Sequence, residues 1–265
     1  MYKMIVTDLD GTLLNKNKNV SEKSKKYLKE LKDKGYIICV DTGRTLGRAK
    51  YALGGFDYIN YIIGNNGTYI YDVSNDKSLY KSTIIAKEIK ELFIKYLDEY
   101  EVFEINCYEN ILSYQSRTRN IEPYVEKIDN KDEFFDKINE VYNVTISLKN
   151  KSMVNVFLED LKNNYKDIGS FIMEDSFSNK KWITLINQND NKFNGLCILK
   201  EKTGINNNDI IAFGDGLNDV VMIENVGFGV AMKNALDEVK NKANDITLDD
   251  NNNDGVVNYL KSILK

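Results

Sequence analysis

Met4-Ile5-Val6-Thr7-Asp8-Leu9-Asp10-Gly11-Thr12 is the stretch whose reading decides the fold. Met4 to Thr7 is a short apolar run, the pattern of a buried strand, and it ends on two acidic residues. Gly11 then lets the chain turn, so Asp8 and Asp10 need not follow the alternation of strand residues. A buried strand with acids at its carboxyl end is a strand that leads into a site.

Two more acidic clusters repeat this arrangement. Asp41-Thr42-Gly43 follows the apolar run Tyr36–Val40, and Asp215 with Asp219 follows Ile210–Phe213. Helix patterns lie between the strands. Ser21 caps a helix that runs to Lys34 and stops at Gly35, and a helix from Lys192 to Lys202 stops at Gly204. Ile59–Ile63 is a further strand, ending at the turn Gly64-Asn65-Asn66-Gly67. Alternation of strand and helix predicts an α/β fold with a parallel sheet covered on both faces. In such sheets ligands bind beyond the carboxyl ends of the strands, so the three acidic clusters converge there.

The middle of the chain reads differently. Ile85, Ile89, Leu92, Phe93, Tyr96 and Tyr100 fall at helical spacing, and strand-like stretches follow at Val102–Cys107 and Ile111–Gln115. A helix near Asp132–Tyr142, a strand at Val144–Leu148, a helix at Met153–Tyr165 and strands near Ser170–Glu174 and Trp182–Ile186 complete an inserted α/β domain. The expected division is a core from residues 1–80 and 184–265 and an insert over 81–183. The Asn- and Asp-rich run Asp249–Asp254 reads as a solvated loop.

Composition narrows the chemistry. The chain has 265 residues, 42% of them hydrophobic, and a net charge of -4. That gives material for a core and no basic excess to suit nucleic acid. The sequence has no histidine, which removes Ser-His-Asp and Cys-His catalysis and histidine-ligated zinc. Cys39, Cys107 and Cys197 form no CxxC pair. No segment reaches the roughly 18 apolar residues of a membrane helix, and the expected location is cytoplasmic. Acid–base chemistry therefore falls to carboxylates, lysine or tyrosine. Gathered carboxylates repel one another and call for a cation; oxygen ligands favour magnesium.

Asp8-Leu9-Asp10-Gly11-Thr12 resembles the first motif of the haloacid-dehalogenase superfamily, and the later segments resemble its other three motifs in order. Asp41-Thr42-Gly43-Arg44 is similar to the second, Lys192 to the third and Gly214-Asp215-Gly216-Leu217-Asn218-Asp219 to the fourth. Gly229-Val230-Ala231-Met232-Lys233-Asn234-Ala235 resembles the Cof-like, type IIB branch. The resemblance implies a Rossmann-like core with an inserted cap of the C2B type, substrate binding between them, and phosphatase activity on a small phosphorylated metabolite with Mg2+. It implies that Asp8 is the nucleophile and Asp10 the acid and then the base. Thr42 would hold a phosphoryl oxygen, and Lys192 would neutralise Asp8 and the phosphate. Metal would be held by Asp8, the backbone carbonyl of Asp10, and Asp215, with Asp219 in support. Leu9, Gly43, Arg44, Asn66, Asn218 and Asn234 would lie near the substrate. Arg44 has two readings, a phosphate contact or a structural salt bridge, and Asn66 has two, a substrate contact or a turn residue at positive φ.

Two departures stand out. The branch usually places glycine directly after the motif-three lysine, whereas here Phe193 follows and glycine comes at Gly195; Lys233 stands where glycine is common. The competing readings are a phosphomutase that uses the same aspartyl phosphate and a non-catalytic phosphosugar-binding protein. The sequence names neither the substrate nor the oligomeric state.

Overall fold

The computed structural model describes residues 2–114, 124–174 and 181–264. The N-terminal part runs β1 (Met4–Thr7), α1 (Glu22–Asp33), β2 (Ile37–Asp41), α2 (Leu46–Leu53), β3 (Tyr61–Gly64), β4 (Tyr69–Asp72) and β5 (Lys77–Lys81). The middle runs α3 (Ala86–Lys95), β6 (Tyr100–Asn106), β7 (Ile111–Tyr114), β8 (Val125–Ile128), α4 (Lys131–Lys137), β9 (Asn143–Leu148), α5 (Met153–Asn164), β10 (Ile168–Glu174) and β11 (Lys181–Asn187). The C-terminal part runs α6 (Lys192–Thr203), β12 (Ile210–Gly214), α7 (Val220–Asn225), β13 (Phe228–Ala231), α8 (Asp237–Lys240), β14 (Asp245–Ile246) and α9 (Gly255–Ile263). Gln115, expected to end a strand, lies outside the described residues.

The chain divides into two compact units: Met1–Arg44 with Ala49–Tyr80 and Asn191–Lys265, and Thr45–Arg48 with Lys81–Asp190. The expected return point at residue 184 is corrected. It falls inside β11, which is paired to β9 and β10, so the chain leaves the second unit only after Asp190.

The first unit holds an eight-stranded sheet in the order β14-β13-β12-β1-β2-β3-β4-β5. The strands from β14 to β3 are parallel, and β4 runs back against β3. β1 lies in the interior of the sheet, and every residue from Met4 to Thr7 is buried. On one face, Met4, Val6, Cys39, Ile63, Ile210 and Ala212 pack against Leu196 and Leu199 of α6 and Met222 of α7. Alternate residues reach the other face, where α1 packs on β2 and on α9. Helix ends follow the expected chemistry. Ser21 accepts from the Ser24 amide at the start of α1, and Gly204 closes α6 at φ 70°.

The second unit is a six-stranded sheet, β10-β11-β9-β6-β7-β8, antiparallel except for β7 with β8. One face is an aromatic core: Phe93 of α3 stands 5.1 Å from Phe103 and 5.0 Å from Phe134, ring centroid to ring centroid. Alternate residues put Ser113, Glu104, Thr145 and Thr184 in one polar row across β7, β6, β9 and β11. No helix among the described residues is long and apolar enough to cross a membrane.

Candidate active site

Sheet register sets the first row of the site. Thr7 pairs with Val40 on one side and Phe213 on the other, so Asp8, Asp41 and Gly214 are neighbours one step further along β1, β2 and β12. By strand alternation they share the face of Val6, Cys39 and Ala212, which α6 covers. Gly214 carries no side chain because another occupies that place: a Cβ there would sit 2.5 Å from Cβ of Asp219. The row therefore holds three carboxylates, two of its own and one contributed by Asp219. Lys192, at the first position of α6, points its ammonium into them. It donates to Asp8 Oδ1 and to Asp219 Oδ1, each at 2.6 Å.

The fourth carboxylate comes from the loop after β12. The Thr12 hydroxyl donates to Asp215 Oδ1 at 2.7 Å. Gly11, at φ 81°, is needed for two reasons. The backbone is left-handed there, and a Cβ would lie 2.2 Å from Asp215 Oδ2. Asp219 Oδ2 accepts from the amides of Asp215 and Gly216, both at 3.0 Å, which fixes the loop. One oxygen from each of Asp8, Asp215 and Asp219 lie within 4.8 Å of one another. This group fits a divalent cation: its donors are carboxylate oxygens, and Lys192 alone does not neutralise them. The Asp10 side chain lies outside that group.

Asp10 pairs instead with Arg44. The guanidinium grips it through Nε to Oδ2 and through a second nitrogen to Oδ1, each at 2.7 Å, while Lys18 Nζ adds a third contact at 3.0 Å. Burial works to raise Asp10, but the Arg44 fork and Lys18 outweigh it and hold the carboxyl well below the usual range. Of the two readings of Arg44, the structure shows the salt bridge.

The second motif and the Gly64–Gly67 turn are laced together. Asn66 donates its amide to the Thr42 carbonyl, and Asn65 donates to that of Arg44, both at 3.0 Å. Asn66 sits at φ 59°, and its side-chain oxygen accepts from Asn218 Nδ2 at 3.1 Å. Of the two readings of Asn66, the structure shows the turn residue at positive φ, with its side chain bonded to Asn218 of the fourth motif. The Thr42 hydroxyl accepts from the Arg44 amide at 3.2 Å. Leu9 is buried, and Gly43 leaves room for Asn66, whose Oδ1 a Cβ would approach to 3.1 Å. Asn234 reaches back to the first loop: its amide donates to the Gly11 carbonyl at 2.8 Å, and its oxygen accepts from the Asn251 amide. Lys233 is exposed.

The charges follow from this packing. Burial pushes Asp8 well above its ordinary value; Lys192 opposes that, and Asp219 and Asp215 add repulsion. Asp41 is raised for the same first reason, with Lys192 opposing. Burial also works to lower Lys192, but Asp219, Asp8 and Asp41 outweigh it and keep the ammonium charged. Burial lifts Asp215 to about 6, with the Thr12 hydrogen bond opposing.

Sequence reasoning missed some supports. The run Asp249–Asp254 is more than a solvated loop. Asn251 Nδ2 donates to the Leu14 carbonyl at 2.7 Å, and Asn252 Oδ1 accepts from the Lys16 amide at 2.7 Å, so the run braces the loop that carries Asp8 and Asp10. The signal was its density of asparagines, each able to donate and accept. The displaced glycine of α6 also has a use. Gly195 passes close to the turn after β3, where a Cβ would sit 2.9 Å from Gly67 Cα.

Residues 5–260 match the family model for haloacid dehalogenase-like hydrolases. The chain is 28% identical over 261 residues to a Bacillus subtilis 5-amino-6-(5-phospho-D-ribitylamino)uracil phosphatase, YcsE, covering 98% of this chain and 94% of the relative. It is 25% identical to a phosphoglycolate phosphatase of Methanopyrus kandleri, covering 100% and 98%. Among solved structures, a haloacid dehalogenase-like hydrolase from Bacteroides thetaiotaomicron superposes with a TM-score of 0.83 at 25% identity over the whole of both chains. The chain belongs to the haloacid dehalogenase-like hydrolases, and it is a phosphatase of that family.

Proposed function

We propose that the protein is a magnesium-dependent phosphatase that hydrolyses small phosphomonoesters, sugar phosphates and similar metabolites, through an aspartyl phosphate on Asp8. The observation that carries this reading is the position of Asp8. Its carboxylate is fixed by the Lys192 ammonium at 2.6 Å and grouped with Asp215 and Asp219. Asp8, Asp215 and Asp219, with the Asp10 carbonyl, would hold Mg2+, which when bound supplies the positive charge that lets an anionic nucleophile meet an anionic phosphate.

The chain's own residues do the rest. A carboxylate oxygen of Asp8 forms a bond to phosphorus, and the ester oxygen leaves with its bonding pair and takes a proton from Asp10. Water then attacks the phosphorus, giving its proton to Asp10, and Asp8 departs as carboxylate. Lys192, Thr42 and the amides near Leu9 and Gly43 orient the phosphoryl oxygens. Arg44 and Lys18 hold Asp10 ionised at rest, so it takes up a proton from water once the substrate phosphate draws those cations away, and that proton goes to the leaving oxygen. The stretch Lys81–Asp190 is taken as the cap. The two relatives named above act on different phosphoesters, so the reading stops at the class.

A phosphate-release screen against phosphomonoesters with Mg2+, run beside Asp8→Asn, tests the reading. Release by the native chain and none by the folded variant is the expected result. Equal release by both would overturn it.

A further inference from the structure

Lys192 carries three N–H donors into a place closed to water and uses two of them, on Asp8 and Asp219. Asp41 is fully buried, and neither of its carboxyl oxygens has a hydrogen-bond partner among the described residues. A buried carboxyl without a partner is rare, because the group gives up water and receives nothing in return. The register places Asp41 beside Asp8 on the face that α6 covers, and the charges it feels are those of Lys192, Asp219 and Asp8. Cys39, two residues earlier on the same face, in turn feels Asp41. The resting site thus holds an ammonium with one donor to spare next to a carboxyl with both acceptors idle.

The reaction changes that balance. When an oxygen of Asp8 bonds to phosphorus, the Asp8 carboxylate becomes an acyl phosphate, and the negative charge it carried departs with the ester oxygen, which takes a proton from Asp10. Lys192 then keeps a single carboxylate partner, Asp219. We propose that Asp41 is a positioning residue that acts through Lys192: its carboxyl accepts the third N–H of the ammonium while Asp8 is phosphorylated, and so holds the cation against the acyl phosphate until water cleaves it. This rests on the aspartyl-phosphate reading given above.

The test compares the native chain with Asp41→Asn, which keeps an acceptor oxygen, and Asp41→Leu, which keeps the shape without one. If the leucine variant does not fold, Asp41→Ala carries the same comparison. The first readout is the melting temperature with Mg2+, with and without beryllofluoride, a mimic of the phosphoryl group on aspartate. The native chain and Asp41→Asn are expected to gain similar stabilisation, and Asp41→Leu less than about half as much. The second readout is rapid-quench kinetics with p-nitrophenyl phosphate. Asp41→Leu should slow cleavage of the acyl phosphate roughly tenfold or more with KM nearly unchanged, and Asp41→Asn should stay within about threefold of the native rate. Equal beryllofluoride shifts and equal cleavage rates in all three proteins would overturn the role of Asp41 alone. No beryllofluoride shift in the native chain would overturn the aspartyl-phosphate reading, and this role with it.

Discussion

An oxygen of Asp8 accepts a 2.6 Å hydrogen bond from Lys192, a residue 184 positions further along the chain. Lys192 is the one lysine or arginine fully buried among the described residues, and it answers several carboxylates. Its charge serves stability and chemistry together. Lys192→Met is expected to lower kcat by about a thousandfold or more and to cost about 3 kcal/mol in urea unfolding, because Asp8 and Asp219 lose their buried partner. In the double variant with Asp8→Asn, the stability cost of removing the lysine should shrink. An undiminished cost would show that the ammonium is held for Asp219 alone.

Gly11 is the second point of leverage. A side chain there meets Asp215 at 2.2 Å and is strained at φ 81°. Gly11→Ala should therefore displace Asp215 while the rest of the sheet stays folded. The expected outcome is a weakening of Mg2+ binding by about tenfold or more, measured by calorimetry, with a stability loss of roughly 1–2 kcal/mol from the backbone alone. Unchanged Mg2+ affinity would mean that Asp215 is not a ligand.

Asp215 also sets a pH dependence. Its folded carboxyl is pushed up to about 6, above the unfolded value. Between roughly pH 4 and pH 6 the folded, metal-free protein binds a proton that the unfolded chain has released, so this group's contribution to stability falls as pH rises through that window. Mg2+ needs the carboxylate and must displace the proton. The gain in melting temperature on adding Mg2+ should be clearly larger at about pH 7.5 than at about pH 5. A gain independent of pH would place the ion elsewhere.

Arg44 gives the opposite sign. It holds Asp10 below its unfolded value, so the pair contributes stability above roughly pH 4 that is lost as pH falls through the folded value. The Asp10 side chain is 41% exposed, so solvent screens the contribution and keeps it small. Arg44→Ala should be slightly less stable than the native chain near neutrality, and the two should converge in strong acid. Acid unfolding curves that stay parallel would show that the pair adds nothing to the fold.

Much of this was legible in the sequence because the parts that matter are locally emphatic. β1, β2 and β12 are unbroken apolar runs, and each has both faces covered. Ser21, Gly35 and Gly204 mark helix ends by their own chemistry. Weaker elements escaped. β8 exposes Glu126 and Lys127, and β14 has only two residues, so neither shows a period. The helix expected over Asp132–Tyr142 stops at Lys137, where Ile138 turns extended and Val141 is drawn into a bridge with Ile84. At the site, the acids could be named but their partners could not. Asp10 against Arg44, Asn234 against Gly11 and Asn251 against Leu14 are contacts between distant segments, set by sheet register and loop closure. The isolation of Asp41 is likewise a property of its surroundings, which its own neighbours in sequence do not disclose.

The position of β1 between β2 and β12 has a consequence for how the molecule is made. Lys3 and Asp209, which pair at the start of these strands, are 206 residues apart. During synthesis the strand that carries the nucleophile emerges long before β12 and waits, with one edge bare, while the 206 positions that separate Lys3 from Asp209 are added. An open, apolar strand edge invites pairing with other chains. Newborn copies are therefore most vulnerable to clumping before β12 arrives, and premature termination anywhere upstream of it leaves a product with a permanently unsealed sheet.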